Sequence, residues 1–223
     1  MRVEYGTYLV TQATLSDGRP TDEIVAAALE GGVDVVQVRE KGRSARERLE
    51  LARRLREPTA EAGVPLIVND RVDVAAAADA DGVHLGDEDL PVADARAQLG
   101  SGALIGRSVS TVADAEAAVA AGADYLGVGA VFETSSKDVD DEESGIGTER
   151  VRAIADAVSV PIVGIGGIDA DNAADVVAAG ADGVAVISAI TGADDPAAAT
   201  ASLGEAVETG RERRATRAGG PEQ

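Results

Sequence analysis

Arg39 and Lys41 stand two positions apart in the segment Gln37-Val38-Arg39-Glu40-Lys41. On an extended strand such residues face the same way, so both cations can meet one anion. Lysine is scarce: the chain carries only Lys41 and Lys137, beside eighteen arginines. A compact ammonium offers a phosphate oxygen a point charge where guanidinium offers a planar fork, so the two are poor substitutes at a tight anion site. Carboxylates follow in Asn69-Asp70-Arg71 and Asp87-Glu88-Asp89. Acids from neighbouring strand ends can share a Mg2+ ion, which keeps several waters and takes phosphate oxygens beside one or two protein carboxylates. With 40 acidic residues present, any one of them alone reads as solvating. Gly164-Ile165-Gly166-Gly167-Ile168 and Ile187-Ser188-Ala189 lack the spacing of a dinucleotide or Walker loop, yet such glycines let backbone N–H groups approach phosphate. His84, the single histidine, reads as a hydrogen-bonded residue rather than a ligand, because no second histidine or cysteine supports a metal cluster.

These residues need a scaffold, and one local pattern recurs: a helix end in Gly or Ala, an Asp, then a short apolar strand. It appears at Gly32-Val33-Asp34-Val35-Val36, Ala80-Asp81-Gly82-Val83, Gly122-Ala123-Asp124-Tyr125-Leu126 and Gly180-Ala181-Asp182-Gly183-Val184. Glycine ends a helix in the left-handed conformation, and β-branched runs read as strands buried on both faces. Further strands are expected at Tyr8 to Val10, Pro65 to Val68, Ala103 to Ile105 and Pro161 to Ile165, with alanine-rich helices between. Ser44-Ala45-Arg46-Glu47 is a capping box and Thr111-Val112-Ala113-Asp114 a weaker one. Pro58 is expected to kink or end the helix that Ser44 opens. Eight strand-helix units predict a single-domain α/β protein, a (β/α)8 TIM barrel over residues 1–209, with a mobile tail from 210 to 223. In that fold the active residues lie at the C-terminal ends of the strands, and the loops after strands seven and eight form a phosphate site.

Composition narrows the partners. A formal charge of −20 repels nucleic acid and anionic membranes, so an anionic ligand requires a locally positive pocket. The absence of cysteine removes disulfides, thiolate nucleophiles and thiolate metal sites. No apolar run approaches the roughly 20 residues that span a bilayer, and Met1-Arg2-Val3-Glu4 does not begin a signal peptide, so a cytoplasmic protein is expected. Homo-oligomerisation is left open.

Taken in order, Gln37-Val38-Arg39-Glu40-Lys41, Val68-Asn69-Asp70-Arg71-Val72-Asp73, Asp81-Gly82-Val83-His84-Leu85-Gly86 with Asp89-Leu90-Pro91, Ile165-Gly166-Gly167-Ile168 and Gly180-Ala181-Asp182-Gly183-Val184 resemble thiamine-phosphate synthase, from about residue 7 to 209. The resemblance implies two small-molecule substrates, a hydroxymethylpyrimidine diphosphate and a thiazole phosphate, joined with release of diphosphate. It further implies that Gln37, Val38, Arg39, Glu40 and Lys41 hold the pyrimidine diphosphate and Asn69 the pyrimidine. Asp70 and Asp89 would bind Mg2+, and Ser108 and Lys137 would complete the grip on the diphosphate. Thr134, Ser136, Gly167, Ile187 and Ser188 would hold the thiazole phosphate. Three departures stand out: Ser110 where the family commonly has histidine, Glu133 where it commonly has proline, and Ser136 for a threonine. The acidic stretch Asp138 to Glu143 is read as a loop that closes over substrate.

Three rivals fit less of the pattern. A thiazole tautomerase of the same fold needs a general base rather than a diphosphate site. A non-catalytic sensor of a phosphorylated ligand needs no carboxylate pair, and a sugar-phosphate isomerase leaves that pair without a purpose. The acid-rich, lysine-poor composition also reads as adaptation to high salt, where a charged surface is screened. The thermal midpoint is expected to rise from dilute buffer to molar KCl, and loss of structure in molar salt with full stability in dilute buffer contradicts this.

Overall fold

The structure, a computed structural model, describes residues 3–134 and 145–218. Its strands are β1 (Thr7–Val10), β2 (Val35–Val38), β3 (Leu66–Asn69), β4 (Gly82–Leu85), β5 (Leu104–Val109), β6 (Tyr125–Gly129), β7 (Ile162–Ile165) and β8 (Gly183–Val186). Each pairs in parallel with the next, and β8 pairs with β1 through Thr7 opposite Val184, so the sheet closes as the expected TIM barrel. The helices are α1 (Thr21–Glu30), α2 (Ala45–Ala62), α3 (Val72–Ala78), α4 (Val92–Leu99), α5 (Val112–Ala120), α6 (Gly147–Ala157), α7 (Ala173–Ala178), α8 (Ser188–Thr191) and α9 (Pro196–Ala218).

Strand alternation sorts the apolar residues into two layers. Leu9, Val36, Val38, Leu66, Val68 and Leu126 pack outward against the helices. Tyr5, Tyr8, Val10, Val35, Ile67, Tyr125, Val163, Ala185 and Ile187 fill the interior. With strands buried on both faces, the near-continuous valine and isoleucine of the sequence is what the architecture demands.

The recurring Asp has a mechanical role. Asp34, Asp81, Asp124 and Asp182 each donate their backbone N–H to the carbonyl of Thr7, Leu66, Ile105 and Ile162, at 2.8, 2.9, 2.8 and 2.7 Å. The same four carboxylates accept the backbone N–H of those same residues, at 2.7, 2.8, 2.7 and 2.9 Å. Every even strand is thus stapled to the preceding odd strand at the N-terminal end of the barrel. Arginines back the staples: Arg56 pairs with Asp81 at 3.3 Å and Arg96 with Asp124 at 2.5 Å.

Two expectations about helix ends are corrected. Pro58 does not end α2, which runs on to Ala62 and stops at Gly63 in the left-handed conformation (φ 72°). Leu55 and Thr59 on either side of Pro58 are buried, so packing holds the helical path, and the Thr59 hydroxyl donates to the Leu55 carbonyl at 2.8 Å. Residues 210–218, expected within a tail, continue α9, because Arg211 donates to the Asp182 carbonyl at 3.0 Å and Arg214 to the Gly180 carbonyl at 2.9 Å. Residues 219–223 lie outside the described residues. The Ser44 capping box forms as expected, and Thr111 caps α5 by accepting from the Asp114 N–H.

Asp124→Ala removes the acceptor of the Ile105 N–H and the partner of Arg96, and leaves both donors near the base of the barrel. It is expected to lower unfolding stability in a denaturant titration by about 1–3 kcal/mol, the range for stranding buried donors. Substrate affinity should stay unchanged in that variant, since the staple lies at the opposite end of the barrel from the strand C-termini.

Candidate active site

The strand C-termini bring most of the expected residues to one mouth. At the end of β2, Gln37 faces the interior, and it is 4% exposed. Arg39 is also buried, its guanidinium donating to Gln12 Oε1 at 2.9 Å and its backbone N–H to Thr11 Oγ1 at 3.3 Å. Gln12 Oε1 also accepts the Lys41 N–H at 3.2 Å, so one amide of the β1 loop aligns both cation-bearing residues. Composition and spacing gave no signal for that role of Gln12.

The alternation argument for Lys41 needs correction. β2 ends at Val38 and Glu40 takes φ 37°, so Lys41 sits in a turn rather than on the strand. It nevertheless stays near the mouth, since its ammonium lowers the pKa of Asp70. Glu40 and Val38, expected among the substrate contacts, point their side chains elsewhere. The Glu40 carboxylate, 1% exposed, accepts from the Ala13 N–H and the Thr21 hydroxyl at 3.0 Å each, and so supports the loop after β1. Val38 packs in the outer apolar layer.

Asn69 closes β3 in register with His84 on β4. Asp70 follows in the left-handed conformation (φ 63°), which Asp tolerates better than most residues, with its N–H donating to the His84 carbonyl at 2.8 Å. Its carboxyl is pushed up from 3.8 to about 6, first by burial, then by the charge of Asp89 and a hydrogen bond between the two; Lys41 and Arg48 oppose the shift. Asp89 is fixed by accepting the Gly86 N–H at 2.6 Å. Two carboxylates packed so closely that one suppresses the ionisation of the other are a donor set suited to a divalent cation that completes its shell with water and phosphate oxygens. Among the described residues no cluster of three or more Asp, Glu, His or Cys gathers at one point.

Across the mouth, a cavity of about 360 Å³ is lined by Thr134, Gly166, Gly167, Ile187, Ser188 and Ala189, among others. Gly166 and Gly167 take φ 104° and 62°, and a Cβ on Gly167 would stand 2.5 Å from the Glu133 carbonyl oxygen, so only glycine fits. Here Thr134, Gly167, Ile187 and Ser188 meet, as expected, at the ends of β6, β7 and β8. Ser136 and Lys137 lie outside the described residues, as does the acidic stretch 138–143.

Inside the barrel runs a feature that sequence reasoning missed. Gln37 Nε2 donates to Tyr8 OH (2.7 Å), which meets Tyr125 OH (2.9 Å); Tyr125 meets His84 Nδ1 (3.1 Å), and His84 Nε2 meets Ser108 Oγ on β5 (3.0 Å). His84 is hydrogen-bonded, as its solitary occurrence suggested. The rarity that singled out the lysines marks the tyrosines too: the chain has three, and Tyr5, Tyr8 and Tyr125 are all buried in the barrel.

Fold and site together define a TIM barrel whose mouth carries a carboxylate pair and cations on one side and a glycine-lined cavity on the other. The profile of the thiamine monophosphate synthase family matches residues 7–190, and the chain belongs to that family. It is 68% identical to the thiamine-phosphate synthase of Haloarcula marismortui over 94% of this chain and 100% of that protein, and 63% identical to that of Natronomonas pharaonis over 93% and 97%. The thiamine phosphate pyrophosphorylase structure from Pyrococcus furiosus superposes with a TM-score of 0.84 at 42% identity, covering 93% of this chain and 97% of that one.

The raised pKa of Asp70 has a thermodynamic consequence. The folded state holds the proton more tightly than the unfolded chain, so Asp70 withdraws stability as pH rises from about 4 to about 6. In metal-free buffer containing EDTA, Asp70→Asn is expected to be more stable than wild type at pH 7 by about 1 kcal/mol, the shift being discounted for partial exposure. The two proteins should converge near pH 4 in thermal scans.

Proposed function

We propose that this chain condenses a 4-amino-2-methylpyrimidine bearing a 5-diphosphooxymethyl group with a thiazole carrying a 2-phosphoethyl arm, or its carboxylated form, giving thiamine phosphate and diphosphate. The observation that carries this reading is the mouth itself: Lys41 near the Asp70–Asp89 pair, Arg39 joined to the Lys41 backbone through Gln12, and a separate cavity lined by Thr134, Gly167, Ile187 and Ser188. Two anion sites at one mouth suit a reaction in which two phosphorylated substrates meet.

Loss of diphosphate from the pyrimidine's methylene carbon breaks a C–O bond and leaves a cation, which the electron-rich aminopyrimidine delocalises. The thiazole nitrogen then donates its electron pair to that carbon. The protein's task is to stabilise the departing anion while excluding water, and no protein nucleophile is needed. Arg39, held by Gln12, and Lys41 provide fixed positive charge for the leaving group. Lys137 and Ser108 are assigned to the same anion, and Gln37 and Asn69 to the pyrimidine. Thr134, Ser136, Gly167, Ile187 and Ser188 anchor the thiazole phosphate, which places its nitrogen against the carbon and supplies proximity. Mg2+, for which Asp70 and Asp89 fit as ligands, would neutralise diphosphate oxygens when bound. Val38 and Glu40 keep a part only as backbone and loop support. Phosphorylated substrates do not cross membranes unaided, and among the described residues no helix is long and apolar enough to span one, in keeping with a cytoplasmic enzyme.

The test is formation of thiamine phosphate from both substrates with Mg2+. EDTA, Asp70→Ala and Lys137→Ala are each expected to reduce the rate by at least about two orders of magnitude, the scale of one lost electrostatic contact. Unchanged rates in the variants refute the site assignment. A protein that shifts the thiazole double bond but makes no thiamine phosphate is a tautomerase.

A further inference from the structure

The hydrogen-bonded chain through the barrel is anchored at Gln37, whose Nε2 donates to the Tyr8 hydroxyl at 2.7 Å. Tyr8 OH and Tyr125 OH share the next hydrogen bond, in which either can donate. Tyr125 OH then meets His84 Nδ1 and His84 Nε2 meets Ser108 Oγ, with the roles set by the imidazole tautomer. Burial raises both Tyr8 and Tyr125 above the ordinary value for tyrosine, so both stay protonated.

The barrel is built around this chain. A Cβ on Gly106 would lie 2.4 Å from Tyr125 OH and 2.5 Å from His84 Nδ1, and one on Gly127 would lie 2.8 Å from His84 Cε1. Gly106 on β5 and Gly127 on β6 therefore leave the space that the Tyr125 and His84 side chains occupy. In an interior otherwise lined largely by Val, Ile and Ala, that vacated space admits a polar chain with every link made.

We infer that Tyr8, Tyr125 and His84 are positioning residues that fix which atom of the Gln37 amide meets the substrate. With Nε2 committed to Tyr8, Gln37 presents Oε1, a hydrogen-bond acceptor. The inference rests on the proposed pyrimidine substrate, whose amino group is the one N–H donor on its ring; an acceptor at Gln37 selects that group. At the other end, the chain holds the Ser108 hydroxyl through His84 Nε2 at 3.0 Å. A broken chain lets the Gln37 amide flip and present NH2, which suits a ring oxygen substituent instead.

Tyr125→Phe removes the central hydroxyl and keeps the ring. Kinetics are measured with the 4-amino pyrimidine diphosphate and with the analogue bearing oxygen at that position. The variant is expected to raise KM for the amino substrate about tenfold, one neutral hydrogen bond's worth. Its preference for amino over oxygen, as a ratio of kcat/KM values, is expected to fall at least about tenfold. Tyr8→Phe should give the same loss of preference, and because a ratio does not depend on the folded fraction, partial unfolding cannot imitate it. Wild-type preference in both variants overturns the inference, whatever their thermal stability. A wild-type protein that makes no thiamine phosphate overturns the functional reading and the inference together.

Discussion

A parallel barrel closes only if the strand ends are pinned in register, and here the pin is a carboxylate. At the N-terminal end each odd strand has a backbone N–H beside the loop that feeds the next strand, and Asp34, Asp81, Asp124 or Asp182 takes it while returning its own N–H to the same residue. The eight strands are joined as four stapled pairs. With register fixed at one end, the C-terminal loops are released from that duty. Backbone of positive φ occurs in those loops, at Glu40, Asp70, Gly166 and Gly167.

The same separation resolves an electrostatic conflict. A chain of formal charge −20 repels the diphosphate it is proposed to bind. Several arginines outside the mouth are matched to carboxylates, as in Arg54–Asp22, Arg56–Asp81, Arg96–Asp124 and Arg213–Asp175. At the mouth, Arg39 is held by the amide of Gln12, to which its guanidinium donates at 2.9 Å. Asp70 and Asp89 add negative charge at that place, which is favourable only when a divalent cation joins them. The proposed function therefore calls for an anion and a metal at the mouth together.

Much of this was legible in the sequence. Four Gly/Ala–Asp–strand repeats marked the even strands, because the staple demands an Asp at a fixed place, and four further apolar runs completed the eight of the barrel. The rarity of lysine marked Lys41, and ordered motifs marked Asp70, Asp89 and the glycine loop. What was hidden depended on three-dimensional geometry. The positive φ of Glu40 breaks the strand alternation that appeared to aim Lys41, and it turns a charged residue into a buried loop support. Gln12 and the tyrosines act through partners 27 to 117 positions away, which no local pattern encodes. Pro58 failed as a helix stop because Leu55 and Thr59 anchor the helix on either side.

The central claim is that the mouth is a joint site for metal and diphosphate, and titration calorimetry with inorganic diphosphate tests it without catalysis. In the presence of Mg2+ the wild-type protein should bind diphosphate, and with EDTA the affinity should fall at least about 100-fold, a coupling of roughly 3 kcal/mol between the two ligands. Equal affinity with and without Mg2+ would contradict the account.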